Sequence, residues 1–298
     1  MNLWTTIGVD FGLTNLDVVV LHGDVLAHAK RLPSPGPASI TGLEMAFAGL
    51  PANAIPAQSR VRLAVTGGRH RDLPAQWEGL EVLKVLEPEA VGRGGLALAR
   101  DLERSGQALV VSAGSGASMV RAAPDGYRHV TGSGVGGGTL LGLAALLLGT
   151  SDPAEVNRMA MLGDTTGVDT TLFDSLGAGV GRLPPEATAV NFGRLVGAAH
   201  TPTREDLAAG LFNLVAQVIA VIALNAAARE GLADVIVTGH LPDLSAFPPA
   251  LLRVWEYYGV KPAPIIPPLG GAATAIGAAL AVSGYPALAE RTGFLGAS

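Results

Sequence analysis

The chain has 298 residues, a net charge of −5, and 49% hydrophobic against 15% charged residues. Its length suits two domains or one large α/β unit, and a mean hydropathy of +0.39 excludes a disordered polypeptide. With no cysteine, disulfides, thiolate metal sites and a cysteine nucleophile are excluded, and an acidic balance without a basic stripe argues against nucleic acid as a partner.

The N-terminus, MNLWTTIGVDFG, lacks the basic and apolar regions of a signal peptide, so a cytoplasmic location is expected. Residues 5–12 and 16–21 are β-branched runs that predict a hairpin turning through Gly12, Leu13, Thr14 and Asn15. A Pro-rich loop (32–38), a helix (39–49) and strands at 60–66 and 81–86 follow, then a helix over 89–105. Residues 107–113 form an apolar strand running into Gly114-Ser115-Gly116, and 117–121 with 127–131 form the next hairpin. A glycine loop (132–138) opens a helix at 139–149, and Ser151 or Asp152 caps the next helix. Residues 175–186 read as a Gly/Pro-rich loop. Thr203 and Asp206 make a variant capping box before a long helix of about 204–230. Its stretch 207–228 is long enough to span a bilayer, but Gly210, Asn213, Gln217 and Asn225 favour a buried core helix, so no membrane is expected. A strand at 234–238 ending in Gly239, a helix at 250–258, four prolines within 262–268 and a small-residue helix at 270–283 complete the chain.

Strand–turn–strand thus occurs at 6–20 and again at 108–121. This predicts two α/β domains, 1–106 and 107–298, facing each other across a cleft. Asp10, at a strand end before a glycine turn, can attend Mg²⁺ beside phosphates, with Gly12 and Thr14 approaching the same phosphates; an ordinary turn-capping Asp is the alternative. Ser112, Gly114, Ser115, Gly116 and Ser118 repeat the arrangement without an acid. The loop Thr131-Gly132-Ser133-Gly134-Val135-Gly136-Gly137-Gly138-Thr139 places N–H groups at a helix start, which suits an anion. It is neither a P-loop nor a good dinucleotide fingerprint. Glu87 or Glu89 is a candidate general base, or else Glu87 caps the helix or serves as its first-turn acid, with Pro88 at its first position. The six histidines show no paired metal-ligand spacing, and no serine-hydrolase elbow exists.

Together these motifs resemble the type II pantothenate kinases of the actin and hexokinase superfamily, over about residues 6–282. The matching pieces are IGVDFGLT (7–14), LAVTGG (63–68), EPEA (87–90), SAGSGAS (112–118), VTGSGVGGGTLLGL (130–143), Gly163-Asp164 with Val168-Asp169, AVNFG (189–193), VIVTG (235–239) and AIGA (275–278). The resemblance implies an ATP- and Mg²⁺-dependent kinase that phosphorylates pantothenate, the first step of coenzyme A biosynthesis. In it Glu87 is the catalytic base, Asp10 attends Mg²⁺ and the ATP phosphates, and residues 132–139 hold phosphates and the start of the adenosine site. Gly239 and 270–277 close over adenosine, and Arg128 or His129 meets the substrate. It also implies a homodimer and an acyl-CoA effector. Three positions depart from the pattern: Leu13 replaces a glycine, Asp17 a lysine, and His129 an arginine, with Arg128 adjacent. A kinase for another alcohol and a non-catalytic nucleotide- or acyl-CoA-binding regulator are the competing readings.

Overall fold

The structure, a computed structural model, describes residues 4–99, 106–197 and 201–283. The first hairpin forms as expected from β1 (Trp4–Phe11) and β2 (Asn15–His22), paired antiparallel so that Asp10 lies opposite Asp17. It is followed by β3 (Val25–Pro33), a strand the sequence did not announce. Its VLAHAKRLP run has no apolar alternation, because β3 is an edge strand whose residues are exposed or half-buried. Next come α1 (Ile40–Ala48), capped by Ser39 accepting from the Gly42 N–H, then β4 (Arg60–Gly67), β5 (Gln76–Trp77) and β6 (Leu80–Lys84). These strands make one sheet in the order β3-β2-β1-β4-β6-β5, with β1, β4 and β6 mutually parallel.

Helix α2 (Glu87–Ala99) follows directly; the sequence-based extension to 105 lies outside the described residues. The second sheet, in the order β12-β7-β8-β9, holds β7 (Ala108–Ala113), β8 (Ala117–Ala123) and β9 (Gly126–Ser133) as an antiparallel meander. Helices α3 (Gly137–Leu148), α4 (Pro153–Ala160) and the short α5 (Leu172–Leu176) come next, and the two-residue β10 (Thr170–Thr171) pairs with β11 (Thr188–Val190). Asp152 caps α4 with Pro153 at its start, as expected. Helix α5, its N-terminus held by a Thr171–Asp174 capping box, precedes the expected 175–186 loop and takes in its first two residues.

The long α6 (Arg204–Glu230) begins at Thr203, whose side chain accepts from the Asp206 N–H. Asp206 Oδ1 also accepts from the Asp164 N–H, which ties the start of α6 to the turn after α4. Among the described residues α6 alone is long and apolar enough to cross a membrane, but 67% of its most apolar window is buried inside the chain. It is the spine of the larger core, where Leu211, Phe212, Val215 and Ile219 meet Met119, Leu140 and Leu251. Burying each such side chain contributes about 1.5–3 kcal/mol. Strand β12 (Val235–Thr238) then joins β7 in parallel, and α7 (Phe247–Tyr257) and α8 (Ala273–Val282) end the described chain.

The halves are laced by two small-residue helices. Helix α8 returns to pack on β1 and β4 of the first sheet, while α2 packs on β7 and β8 of the second. The two lie against each other so closely that a Cβ on Gly94 would sit 1.8 Å from the Ala273 carbonyl, and one on Gly277 1.8 Å from the Ala90 carbonyl. Only glycine admits that approach, which is the structural reason for the small residues of 273–279.

Candidate active site

The two hairpin turns face each other. Thr14 Oγ1 and Ser115 Oγ stand 2.6 Å apart, one from each sheet, across a cleft of about 450 Å³. Asp10, Gly12, Thr14, Gly67 and Glu87 line it on one side, and Ser112, Gly114, Ser115, Gly116, Ser118 and Gly239 on the other. A second cavity of about 310 Å³ shares Thr14, Ser115 and Gly114 and continues over Gly137, Leu140, Leu141, Leu241 and Leu244, a largely apolar wall.

Asp10 comes from the end of β1, where the strand leaves the sheet into the turn. Its carboxyl is pushed up to about 7, first by burial and then by the neighbouring carboxylates of Asp17 and Glu87; His240 pulls it back down. The floor beside it is tight, since a Cβ on Gly67 would lie 2.5 Å from Asp10 Oδ1. Glu87 is the first residue of α2. Because the Ala90 N–H donates to the Leu86 carbonyl, the cap position belongs to Leu86, and Glu87 is a first-turn acid rather than the cap.

The glycine loop is engaged by the 114–116 turn. The N–H groups of Gly137 and Gly138 donate to the carbonyls of Gly114 (2.8 Å) and Ser115 (2.9 Å). A Cβ on Gly136 would sit 2.7 Å from both Gly116 Cα and the Ser115 carbonyl oxygen. The loop is therefore glycine-rich because it packs against the back of the 114–116 turn, which it buttresses, and two of its N–H groups are committed to that turn. Thr139 Oγ1 donates inward to the Gly134 carbonyl. Gly132, Gly134, Gly136, Gly138 and Thr139 line neither of the two cavities, whereas Gly137 lines the second.

Arg128 and His129 are also placed elsewhere. They are exposed on β9, the edge strand of the second sheet, and Arg128 is engaged by Glu230 at the end of α6. Neither lines either cavity. Asp169 and Asn213 form a separate buried pair to which the half-buried Phe192 of the AVNFG segment is tied: Asp169 accepts from the Phe192 N–H (2.8 Å) and from Asn213 Nδ2 (2.7 Å). Burial raises the Asp169 carboxyl against those bonds.

His240, which the sequence reading set aside for lack of a partner at metal-ligand spacing, lines both cavities. Its Nε2 is 2.8 Å from Asp17 Oδ2 and its Nδ1 2.9 Å from Asp243 Oδ2, with Arg31 Nη1 3.3 Å from the same Asp243 oxygen. The one available signal was its place directly after Gly239 at the end of a buried strand.

Two sheets whose hairpin turns close on an acidic cleft define the actin and hexokinase class of fold. Solved structures agree at the level of fold. A ROK family glucokinase from Streptomyces griseus, in complex with glucose and AMPPNP, superposes with a TM-score of 0.61 at 16% identity, covering 93% of this chain and 98% of that one. The activator of 2-hydroxyisocaproyl-CoA dehydratase from Clostridium difficile, with bound ADPNP, gives 0.60 at 18% identity and 94% coverage of both chains. Residues 105–244 match the Fumble family model. The type II pantothenate kinase of Oceanobacillus iheyensis is 32% identical over 178 residues, covering 59% of this chain and 65% of that protein. Pantothenate kinase 1 of Oryza sativa subsp. japonica is 36% identical over 137 residues, which span 44% of this chain and 20% of that protein. The chain thus matches less than two thirds of the length of both relatives. It is similar to the Fumble family model over residues 105–244 and to these pantothenate kinases, and its fold is the one that the resemblance implies.

Proposed function

We propose that this protein is an ATP- and Mg²⁺-dependent kinase of a small-molecule alcohol, with pantothenate as the substrate that its relatives' names suggest. The observation that carries the reading is the meeting of the Thr14 and Ser115 turns over a cleft holding Asp10 and Glu87. In this reading the polyphosphate lies between the two turns and takes the hydroxyls that now face each other. The base lies against the apolar wall of the second cavity, beside Gly137, Leu140 and Leu241. Closing of the first sheet on the second excludes water from the transfer.

Asp10 fits a metal. It is a half-buried carboxylate raised by desolvation and by two like charges, which a divalent cation would offset. Among the described residues no three His, Asp or Glu gather as a ligand set, so Asp10 would hold Mg²⁺ together with water and the phosphates themselves. When bound, the ion supplies charge neutralisation of the phosphates. Glu87 has no ion-pair partner among the described residues and faces the same space, so it can accept the proton of the acceptor hydroxyl. In the same reading, a second copy covers part of the chain in a homodimer, and an acyl-CoA competes for the cleft.

The test is ADP release across a panel of alcohols. Mg²⁺-dependent turnover with pantothenate above all others is expected. ATP binding without turnover on any alcohol would overturn the kinase in favour of a nucleotide-binding regulator.

A further inference from the structure

Asp17 and Asp10 lie directly opposite each other on β1 and β2, and residues so paired share one face of the sheet. Glu87 is close enough to raise Asp10 as well. Three carboxylates therefore line the cleft in which the reading above seats a polyphosphate, an arrangement that repels anions. Asp17 is moreover nearly enclosed, its side chain 7% exposed, and a carboxylate removed from water needs a partner.

That partner comes from the other sheet. His240 follows β12 and reaches Asp17 with Nε2, while Nδ1 reaches Asp243. Nδ1 also stands 3.0 Å from Arg31 Nη1, so it lies between a guanidinium and the Asp243 carboxylate, while Nε2 faces Asp17 alone; two carboxylates on one imidazole favour its protonated, positively charged form. Burial by itself would lower this imidazole, but the bonds to Asp17 and Asp243 outweigh it and hold it up at about 9. Arg31, on β3, completes the group by its contact with Asp243. The charged groups around His240 are thus Asp17 and Arg31 from the first sheet, Asp243 from its own turn, and Asp10 further along the cleft.

We propose that His240 is a positioning residue that bridges Asp17 and Asp243 across the cleft and cancels the charge of Asp17, so that a polyphosphate can enter between the two turns. The proposal rests on the nucleotide-binding reading above. It also accounts for the acid at position 17, where the resembling family carries a lysine: the compensating cation is contributed by the facing half of the molecule. Because the bridge joins β2 to the end of β12, it forms only when the two halves are together, and it ties charge neutralisation to cleft geometry.

The experiment is calorimetric titration of the full chain with ATP and Mg²⁺. His240→Asn leaves Asp17 uncompensated and is expected to weaken ATP binding by about tenfold or more. Asp17→Asn in the same chain removes the uncompensated charge, so the double variant is expected to regain most of the lost affinity. His240→Lys, which retains a cation, is expected to bind more tightly than His240→Asn and serves if the latter fails to fold. Wild-type affinity in His240→Asn, or a double variant binding no better than it, would overturn the proposal. Should the wild-type chain bind no ATP, the nucleotide reading fails, and the bridge is then read from thermal midpoints of the two single variants and the double variant. Non-additive midpoints are expected for a bonded pair, and additive ones would overturn the bridge.

Discussion

Asp10→Asn should stabilise the metal-free protein, and the size of the gain follows from the cleft. A carboxyl moved from its ordinary 3.8 to about 7 disfavours its own ionised form in the fold by about 4 kcal/mol at high pH. Between about pH 4 and 7 the folded state binds more protons at Asp10 than the unfolded chain does. Stability contributed by this group therefore falls as pH rises through that window, and the loss is complete above it. Asparagine keeps the shape and has no charge to desolvate. At pH 8 in a chelator, Asp10→Asn should melt several degrees above wild type, since each kcal/mol moves the midpoint by about 2–4 °C in a chain of this size. At pH 4 the two midpoints should nearly coincide. Adding Mg²⁺ with ATP should raise the wild-type midpoint and leave the variant's almost unchanged. Equal midpoints at pH 8, or a gain of the same size at pH 4, would refute the placement of a desolvated carboxylate among like charges.

The remaining predictions concern the base, the loop and the assembly. Glu87→Gln should lower turnover by ~10²–10⁴-fold with ATP affinity nearly unchanged; preserved turnover with a lowered thermal midpoint would reduce Glu87 to a first-turn acid. Gly136→Ala places a Cβ against the 114–116 turn and should weaken ATP binding by displacing Ser115, whereas Gly142→Ala, with nothing within 4 Å on the exposed face of α3, should stabilise by about 0.5–1 kcal/mol and leave binding alone. If both behave alike in titration and denaturant melts, the buttress role of the loop is wrong. Leu214, Val218, Val221 and Ile222 remain partly exposed along α6, and a second copy is expected to cover them. Sedimentation should show a dimer that Val218→Glu dissociates, and a monomer at micromolar concentration would contradict this.

The elements that carry their own pattern were readable from the chain. The two hairpins announce themselves because β-branched runs stop at glycine turns. The helices α4 and α6 do so because Asp152 and Thr203 cap them, and α8 because its residues are mostly alanine and glycine. Asp10 and Glu87 were legible for the same local reason: each sits where a strand or helix end exposes a side chain to whatever lies beyond it. Strand β3 was not, since an edge strand buries little and need not alternate. The glycine loop was legible as close approach of something to backbone, but a sequence does not say whether that something is a phosphate or, as here, the 114–116 turn. Arg128 could be placed next to the loop in the chain, yet pleating and register carry it to an exposed edge beside Glu230. His240 and Asp17 are 223 residues apart. Each by itself is an ordinary polar residue near a strand end, and only the packing of one sheet against the other sets imidazole on carboxylate. Local geometry and capping are written in neighbouring residues, whereas electrostatic partnership depends on distance in space, which the fold alone decides.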